Sequence, residues 1–274
     1  MTEVMNPRPR VVACMPAWNA EDFIDQTLNS LAAQTYPNLH ILISDDASTD
    51  TTGAICQRFA GRHKNVEYHR QPENLGWIGN VNALFKLAQG DYLFFAFHDD
   101  PLEPRYVASL VDALEHNPAA ILAYTDTHVG DRQFSYTEVD GVSDRFERAR
   151  RIIHMHGRWW IPNRGLFRAM AVELTGGMRR HLGGELRADL PWLLHLSLLG
   201  EFVRVAEPLV TKVFRDKGVS TQYERNRSHL KSTAVILACA RVIRCTRLPF
   251  REEVRLQIEL LRFFMDKLTG RSQR

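Results

Sequence analysis

The chain is poor in cysteine, has no long apolar run and lacks the glycine-rich loops that usually mark a nucleotide site. Its four cysteines among 274 residues, Cys14, Cys56, Cys239 and Cys245, show no CxxC spacing. That pattern excludes a disulfide framework and a cysteine-held zinc, and reduced thiols are expected. Stretches without a strongly polar side chain, such as Tyr92 to Phe97 and Ala234 to Ala240, fall far short of the ~20 residues a membrane-spanning helix needs. Residues 1 to 10 hold two prolines and no apolar stretch, so no secretory signal is read and a cytoplasmic location is expected. Neither GxxxxGK[ST] nor GxGxxG occurs, which argues against a P-loop ATPase and a dehydrogenase. No nucleic-acid recognition motif occurs either, and no nucleic-acid partner is expected.

What is present is an ordinary globular composition, with 45% hydrophobic and 24% charged residues over a length that makes two average domains or one large α/β domain. The formal net charge of +3 conceals a division. Residues 225 to 274 carry 12 Lys+Arg against 4 Asp+Glu, net +8, so the first 224 residues are mildly acidic at net −5. A basic tail of this kind is either a solvated helix face or a contact for an anionic partner.

Strand and helix patterns alternate through the first half. Strands are read at Arg10 to Met15, Leu39 to Ser44, Val66 to His69, Tyr92 to Phe97 and Ala119 to Thr125, and helices at Ala20 to Ala33, Thr51 to Ala60, Ile78 to Ala88 and Pro104 to Glu115. Such alternation predicts a mostly parallel sheet covered by helices on both faces. From Arg132 to Arg164 the sequence is polar, and an irregular excursion containing Trp159 and Trp160 is expected. A helix follows at Leu190 to Leu199, one or two strands broken at Pro208 span Glu201 to Phe214, and two helices divided near Pro249 span Ser228 to Leu268.

In an open parallel sheet, ligands gather beyond the carboxyl ends of the strands. Three polar clusters fall there: Pro16 to Asn19 after the first strand, Asp45 to Asp50 after the second, and His98 to Asp100 after the fourth. Asp45, Asp46, Asp99 and Asp100 on one rim repel each other unless a cation or hydrogen-bond donors compensate. A divalent metal is the simplest answer, and carboxylates without neighbouring cysteine favour Mg²⁺ or Mn²⁺. Each cluster also has a plainer explanation as a turn or, for Ser48 and Asp50, a helix cap.

These residues resemble a known family. The stretch MPAWNAEDFIDQTLNSLAAQTYPNLHILISDDASTDTT is similar to the opening of family 2 glycosyltransferases, and Asn74-Leu75-Gly76, Gly90-Asp91-Tyr92 and Asp99-Asp100 resemble the family's NxG loop, GDY turn and the end of its DxDD element. The block from Gly165 through Asp189 and the segment Phe214-Arg215 to Ser220 extend the resemblance over roughly residues 10 to 222. The resemblance implies a GT-A fold, a Rossmann-like mostly parallel sheet flanked by helices, with a catalytic domain at 1–222 and a basic helical extension at 223–274. Within that domain it implies a nucleotide-binding half at 8–130 and an acceptor half at 131–222. It further implies an inverting transfer of sugar from a UDP-, dTDP- or GDP-sugar to a glycan or lipid-linked acceptor, with Mn²⁺ or Mg²⁺ as cofactor, and a basic tail contacting the inner face of the membrane.

Carried over residue by residue, Pro16, Ala17, Trp18, Asn19 and Glu21 would line the nucleotide site, with Trp18 stacking on the base. Asp46 would bind the base ring, Asp99 the ribose or metal shell, Asp100 the metal, and Asp189 would be the general base. Phe97 replaces the first acid of DxDD, Val81 stands near an expected arginine, and Lys217 replaces a histidine of the closing segment. A non-catalytic carbohydrate- or nucleotide-binding module of the same fold and a sugar-phosphate nucleotidyltransferase remain open. The nucleotidyltransferase would want a glycine-rich basic loop where Pro16-Ala17-Trp18-Asn19 stands.

Overall fold

The structure is a computed structural model that describes residues 8–155, 161–185, 187–213 and 229–268. Trp159, Trp160, Phe214, Arg215, Lys217 and Ser220 lie outside the described residues. The first half builds a parallel sheet from β1 (Val11–Ala17), β2 (Leu39–Asp45), β3 (Val66–Arg70) and β4 (Tyr92–Phe95), in the spatial order β3-β2-β1-β4. Every residue of β1 and β4 is buried, which is why both read as continuous apolar runs rather than alternating ones. The helices between them, α1 (Ile24–Ala32), α2 (Thr52–Ala60) and α3 (Gly76–Leu87), cross over the sheet and return the chain to the same edge.

After α4 (Tyr106–His116) the topology changes. The short β7 (Leu166–Arg168) enters antiparallel between β4 and β5 (Ala120–Val129), β6 (Arg132–Phe134) adds antiparallel to β5, and β8 (Glu201–Thr211) pairs with β5 in parallel. The sheet has eight strands among the described residues. One face packs on α1, α2 and α4 through Ile24, Leu28, Phe59 and Leu110. The other packs on α3 and α7 (Asp189–Leu199), which follows the short α6 (Met170–Thr175), with α8 (His229–Cys245) laid on α7 and α9 (Phe250–Leu268) on α8. An aromatic cluster of Phe85, Phe95, Phe167 and Trp192, with ring centroids 5.6 to 6.3 Å apart, fixes α7 to that face.

Two segments differ from the sequence expectation. The polar stretch 132–164 contains β6 and a regular helix, α5 (Arg145–Ile153), started by Asp144, whose carboxylate accepts the Glu147 N–H at 2.6 Å. Its arginines hide the amphipathic pattern. Arg148 is buried with Ala149 and Ile152, and its guanidinium donates to the carbonyls of Val142, Ser143 and Ser197, while Arg150 and Arg151 pair with Glu147. Pro208 does not break the strand before Thr211. It sits opposite Asp126 at a shift in register, where a missing N–H is tolerated.

Candidate active site

The strand ends bring the predicted polar clusters onto one rim, and loop-to-loop hydrogen bonds lock the first two together. Pro16 and Ala17 are the last residues of β1, and their carbonyls accept from the His98 ring (2.9 Å) and from the Asp46 N–H (2.9 Å). Asn19 turns back with φ +43°, a left-handed conformation that asparagine tolerates, and its side chain accepts the Thr49 N–H at 2.9 Å. Ser48 accepts from Asn19, Asp50 from Glu21 and Thr52, and Glu21 from Thr51. Glu21 is therefore spent on bracing the two loops. Trp18 stands clear at 42% exposure, with its indole available as a stacking platform.

The four carboxylates are compensated in different ways. Asp45 is fully buried and is held by Arg70 (2.6 Å), the Tyr68 hydroxyl (3.0 Å) and the Ser48 N–H (2.9 Å). Gly53 is the neighbour that makes room, since a Cβ there would lie 2.7 Å from the Asp45 carboxylate. Asp46, also buried, accepts the Leu75 N–H at 2.7 Å, while Asn74 donates to its carbonyl. Burial raises the Asp46 pKa above the ordinary carboxylate value, with the amides of Leu75 and Gly76 opposing and Glu185 and Asp45 adding to the rise.

Asp100 is 2% exposed and has both oxygens engaged. Arg164 grips Oδ2 at 2.5 and 2.6 Å, and Lys212 and the Val213 N–H reach Oδ1 at 3.1 and 3.2 Å. Asp99 lies 3.5 Å from Lys212 and keeps part of its carboxylate exposed. Burial alone would raise the Asp99 pKa, but Lys212, His98 and Arg164 outweigh it and hold the group below its ordinary value. Phe97, where an acid was expected, forms a surface under the Arg164 guanidinium, 4.6 Å from the ring centre.

Among the described residues no group of three His, Cys, Asp or Glu is arranged to hold a metal. A hard ion shared with a diphosphate needs only one or two carboxylates, and of the pair Asp99 is the one with an oxygen to offer. The donor set therefore fits such an ion through Asp99, with Asp100 behind it holding Lys212 and Arg164 in place.

Asp189 opens α7, and burial raises its pKa to about 7, with Arg164 and Arg187 pulling in the opposite direction. Arg164 thus bonds Asp100 and acts electrostatically on Asp189. Beside it, in the 3₁₀ turn 162–164, the buried Oδ1 of Asn163 meets no hydrogen-bond donor among the described residues. Val81 is core, and the loop before α3 is reached instead by Arg180, which donates to the Leu75 carbonyl.

Glu185 has a role the sequence did not disclose. Its two oxygens accept the Trp77 and Ile78 N–H groups at 3.0 Å each, so a side chain more than 100 residues away caps α3 beyond the one amide, of Gly76, that Asn74 meets locally. Gly76 leaves the room, at φ +72°, because a Cβ there would lie 2.6 Å from Glu185 Oε1. Such a cap has no local spacing by which to recognise it.

The model of glycosyl transferase family 2 matches residues 12–171, and the chain belongs to that family. Glycosyltransferase GlyA of Streptococcus pneumoniae is 30% identical over 133 residues, 48% of this chain and 18% of that protein. Chondroitin synthase of Escherichia coli is 27% identical over 216 residues, 77% of this chain and 30% of the relative. The chain thus spans a third or less of either relative. Among solved structures, S. aureus TarS 1-349 with UDP-GlcNAc superposes with a TM-score of 0.74 at 17% identity, covering 94% of this chain and 73% of that one. The mannosyltransferase PcManGT of Pyrobaculum calidifontis, in complex with GDP-Man and Mn²⁺, gives 0.63 at 18%, covering 96% and 75%. The fold is the Rossmann-like GT-A fold, with a C-terminal helical extension.

Glu185→Ala removes two hydrogen bonds from backbone amides to a carboxylate, and a loss of about 2 to 4 kcal/mol is expected in urea unfolding. Glu185→Gln, which keeps one acceptor, should recover part of it. Equal stability of all three proteins would remove the cap.

Proposed function

We propose that this chain is an inverting glycosyltransferase that moves a sugar from a nucleotide diphosphate sugar to an acceptor hydroxyl. The observation that carries the reading is the carboxylate of Asp189, with its pKa raised to about 7, tied through Arg164 to the Asp99-Asp100 rim. A base near neutrality can take the acceptor proton as the hydroxyl attacks, and one base acting in one displacement inverts the anomeric carbon. Trp18 offers a ring for the nucleobase and Asp46 an acceptor beside it. Lys212 and Arg164 keep the strand-end carboxylates from repelling a diphosphate. A divalent cation held by Asp99 and the diphosphate would supply Lewis-acid stabilisation of the leaving oxygen. A non-catalytic module has less support, because a raised carboxylate has no use in binding alone.

Two expectations follow for Asp189. Its charged form is the reactive one, so kcat should rise with pH along a limb of apparent pKa near 7. Asp189→Asn should lower kcat by about 10² to 10⁴ while donor affinity stays within a few fold. The linkage to stability has a definite sign. A pKa raised from 3.8 to about 7 gives stability that is full below pH 3.8 and lost as pH rises through about 7. The asparagine variant should therefore be more stable than wild type at pH 8, with the advantage vanishing near pH 4. Wild-type turnover by a folded Asp189→Asn protein would end the assignment.

Donor binding is read by calorimetry with UDP, dTDP and GDP, with and without Mn²⁺. Trp18→Ala should weaken the preferred nucleotide by about 1 to 3 kcal/mol whether or not the metal is present. Asp99→Asn should abolish only the metal-dependent part. Affinity indifferent to chelator would remove the cation from the proposal.

The tail's partner we take to be an anionic membrane surface. On α9, Phe250, Val254, Ile258, Leu261 and Met265 are exposed along one face, and Arg251, Arg255 and Arg262 flank them on one side. No described helix is long and apolar enough to cross a membrane, so contact would lie in the interface plane. Co-sedimentation with phosphatidylserine vesicles at low salt, lost in Leu261→Glu, is expected. A concentration-dependent dimer that leaves the vesicles unbound would give the face to a second copy instead.

A further inference from the structure

A pocket lies between the loop 177–182, α7 and α8, with a volume of about 190 Å³. Its walls are apolar, formed chiefly by Trp192, Leu237 and Val242. Three guanidinium-bearing residues, Arg179, Arg180 and Arg241, also line it, and among the described residues no carboxylate does. Arg179 and Arg180 lean on backbone carbonyls, of Thr175 and Leu75, which fixes them without neutralising them. Glu185, 3.7 Å from Arg180, lies outside the lining and is committed to the α3 amides.

The deepest polar group is His195. It sits on the most apolar helix of the chain, DLPWLLHLSLL, is only 7% exposed, and lines the pocket without a hydrogen bond to any described residue. Its ring nitrogens are not among the side-chain atoms sealed off without a partner, so they open onto the pocket, where a ligand oxygen can meet them. Burial, with Arg179 adding to the effect, lowers its pKa to about 4, so the ring stays neutral. It can then exchange a hydrogen bond with a ligand oxygen while the charge recognition is left to the arginines.

We propose that this pocket binds an anionic amphiphile of the alkyl phosphate class, its chain against Trp192 and Leu237, its phosphate among the arginines and an oxygen at His195. Ala188, Pro191 and Trp192 belong both to the pocket wall and to the turn that carries Asp189. An occupant would therefore be held one helical turn from the base. That it is the acceptor rests on the function proposed above; that the pocket takes such a molecule does not.

Cys245 makes the test direct. It lines the same pocket and is the one exposed thiol of the four, the other three being buried. The rate of its alkylation by a maleimide is measured on the whole protein with monomeric dodecyl phosphate, dodecyl maltoside or inorganic phosphate. Dodecyl phosphate should slow the reaction at least tenfold and saturably, and the other two should leave it unchanged. Leu237→Trp, which fills the pocket from an exposed position, should abolish the protection, and Arg241→Glu should weaken it about tenfold. Both side chains are exposed, so both variants should melt with the wild type. Equal protection by the maltoside, by phosphate alone, or in the two variants would overturn the proposal, as would no protection at all. A donor-binding failure in calorimetry with protection intact would strike the proposed transfer reaction and leave the pocket standing.

Discussion

The structure depends on bringing carboxylates to one end of a parallel sheet without letting their charges expel each other. Four of them lie at the ends of β2 and β4, the strands on either side of β1, and a fifth opens α7. Like charges this close in a poorly solvated rim would protonate or push the loops apart. The chain supplies its own positive charge: Arg70 to Asp45, and Arg164 with Lys212 to Asp99 and Asp100. Among the described residues Asp46 is met by an amide and Asp189 by no formal bond to a cation, and these two have their pKa values raised. The fully paired groups therefore hold the frame, and the under-compensated ones are left for chemistry.

The compensating groups come from far along the chain, which makes its first and second halves interdependent. Arg164 arrives through β7, inserted antiparallel beside β4, and Lys212 from the end of β8. Glu185 closes the same circuit from the other side, capping the helix whose leading loop meets Asp46. The second half of the chain thereby completes the rim electrostatically. Losing any of these contacts should be felt at both ends, because a buried charge left without its partner costs more than the pair contributes.

Much of the fold was legible because the first half is locally consistent: buried strands, amphipathic helices and polar strand ends agree with each other. Trp18, Asp46, Asp99 and Asp100 were placed on one rim by that pattern alone. What could not be read was compensation. Nothing in the sequence near Asp100 names Arg164, 64 residues on, or Lys212, 112 residues on. The rim therefore read as a demand for metal, when the protein's own cations meet most of it. Helix α5 was hidden for a related reason. Arg148 faces inward and is satisfied by three carbonyls, so a buried position carries the most polar side chain in the helix.

The basic tail shows the same limit of charge counting. Its net +8 suggests a free positive field, but part of it is used at home: Arg262 pairs with Glu259, and Arg255 lies 3.9 Å from the centre of the Phe146 ring. Exposed pairs of this sort contribute little to stability. Arg255 over Phe146 and Glu252 paired with Arg145 tie the helix to α5 and set which way it faces. Leu256, Leu260 and Phe263 turn inward beside α5 and α8, and a second apolar stripe from Phe250 to Met265 turns outward. A helix needs only one apolar face to fold onto a core. The second face is not required by the fold, and it runs beside arginines that the fold uses only in part. Apolar area and positive charge displayed together on one helix are the combination that binds in the plane of an anionic interface, and neither would suffice there alone.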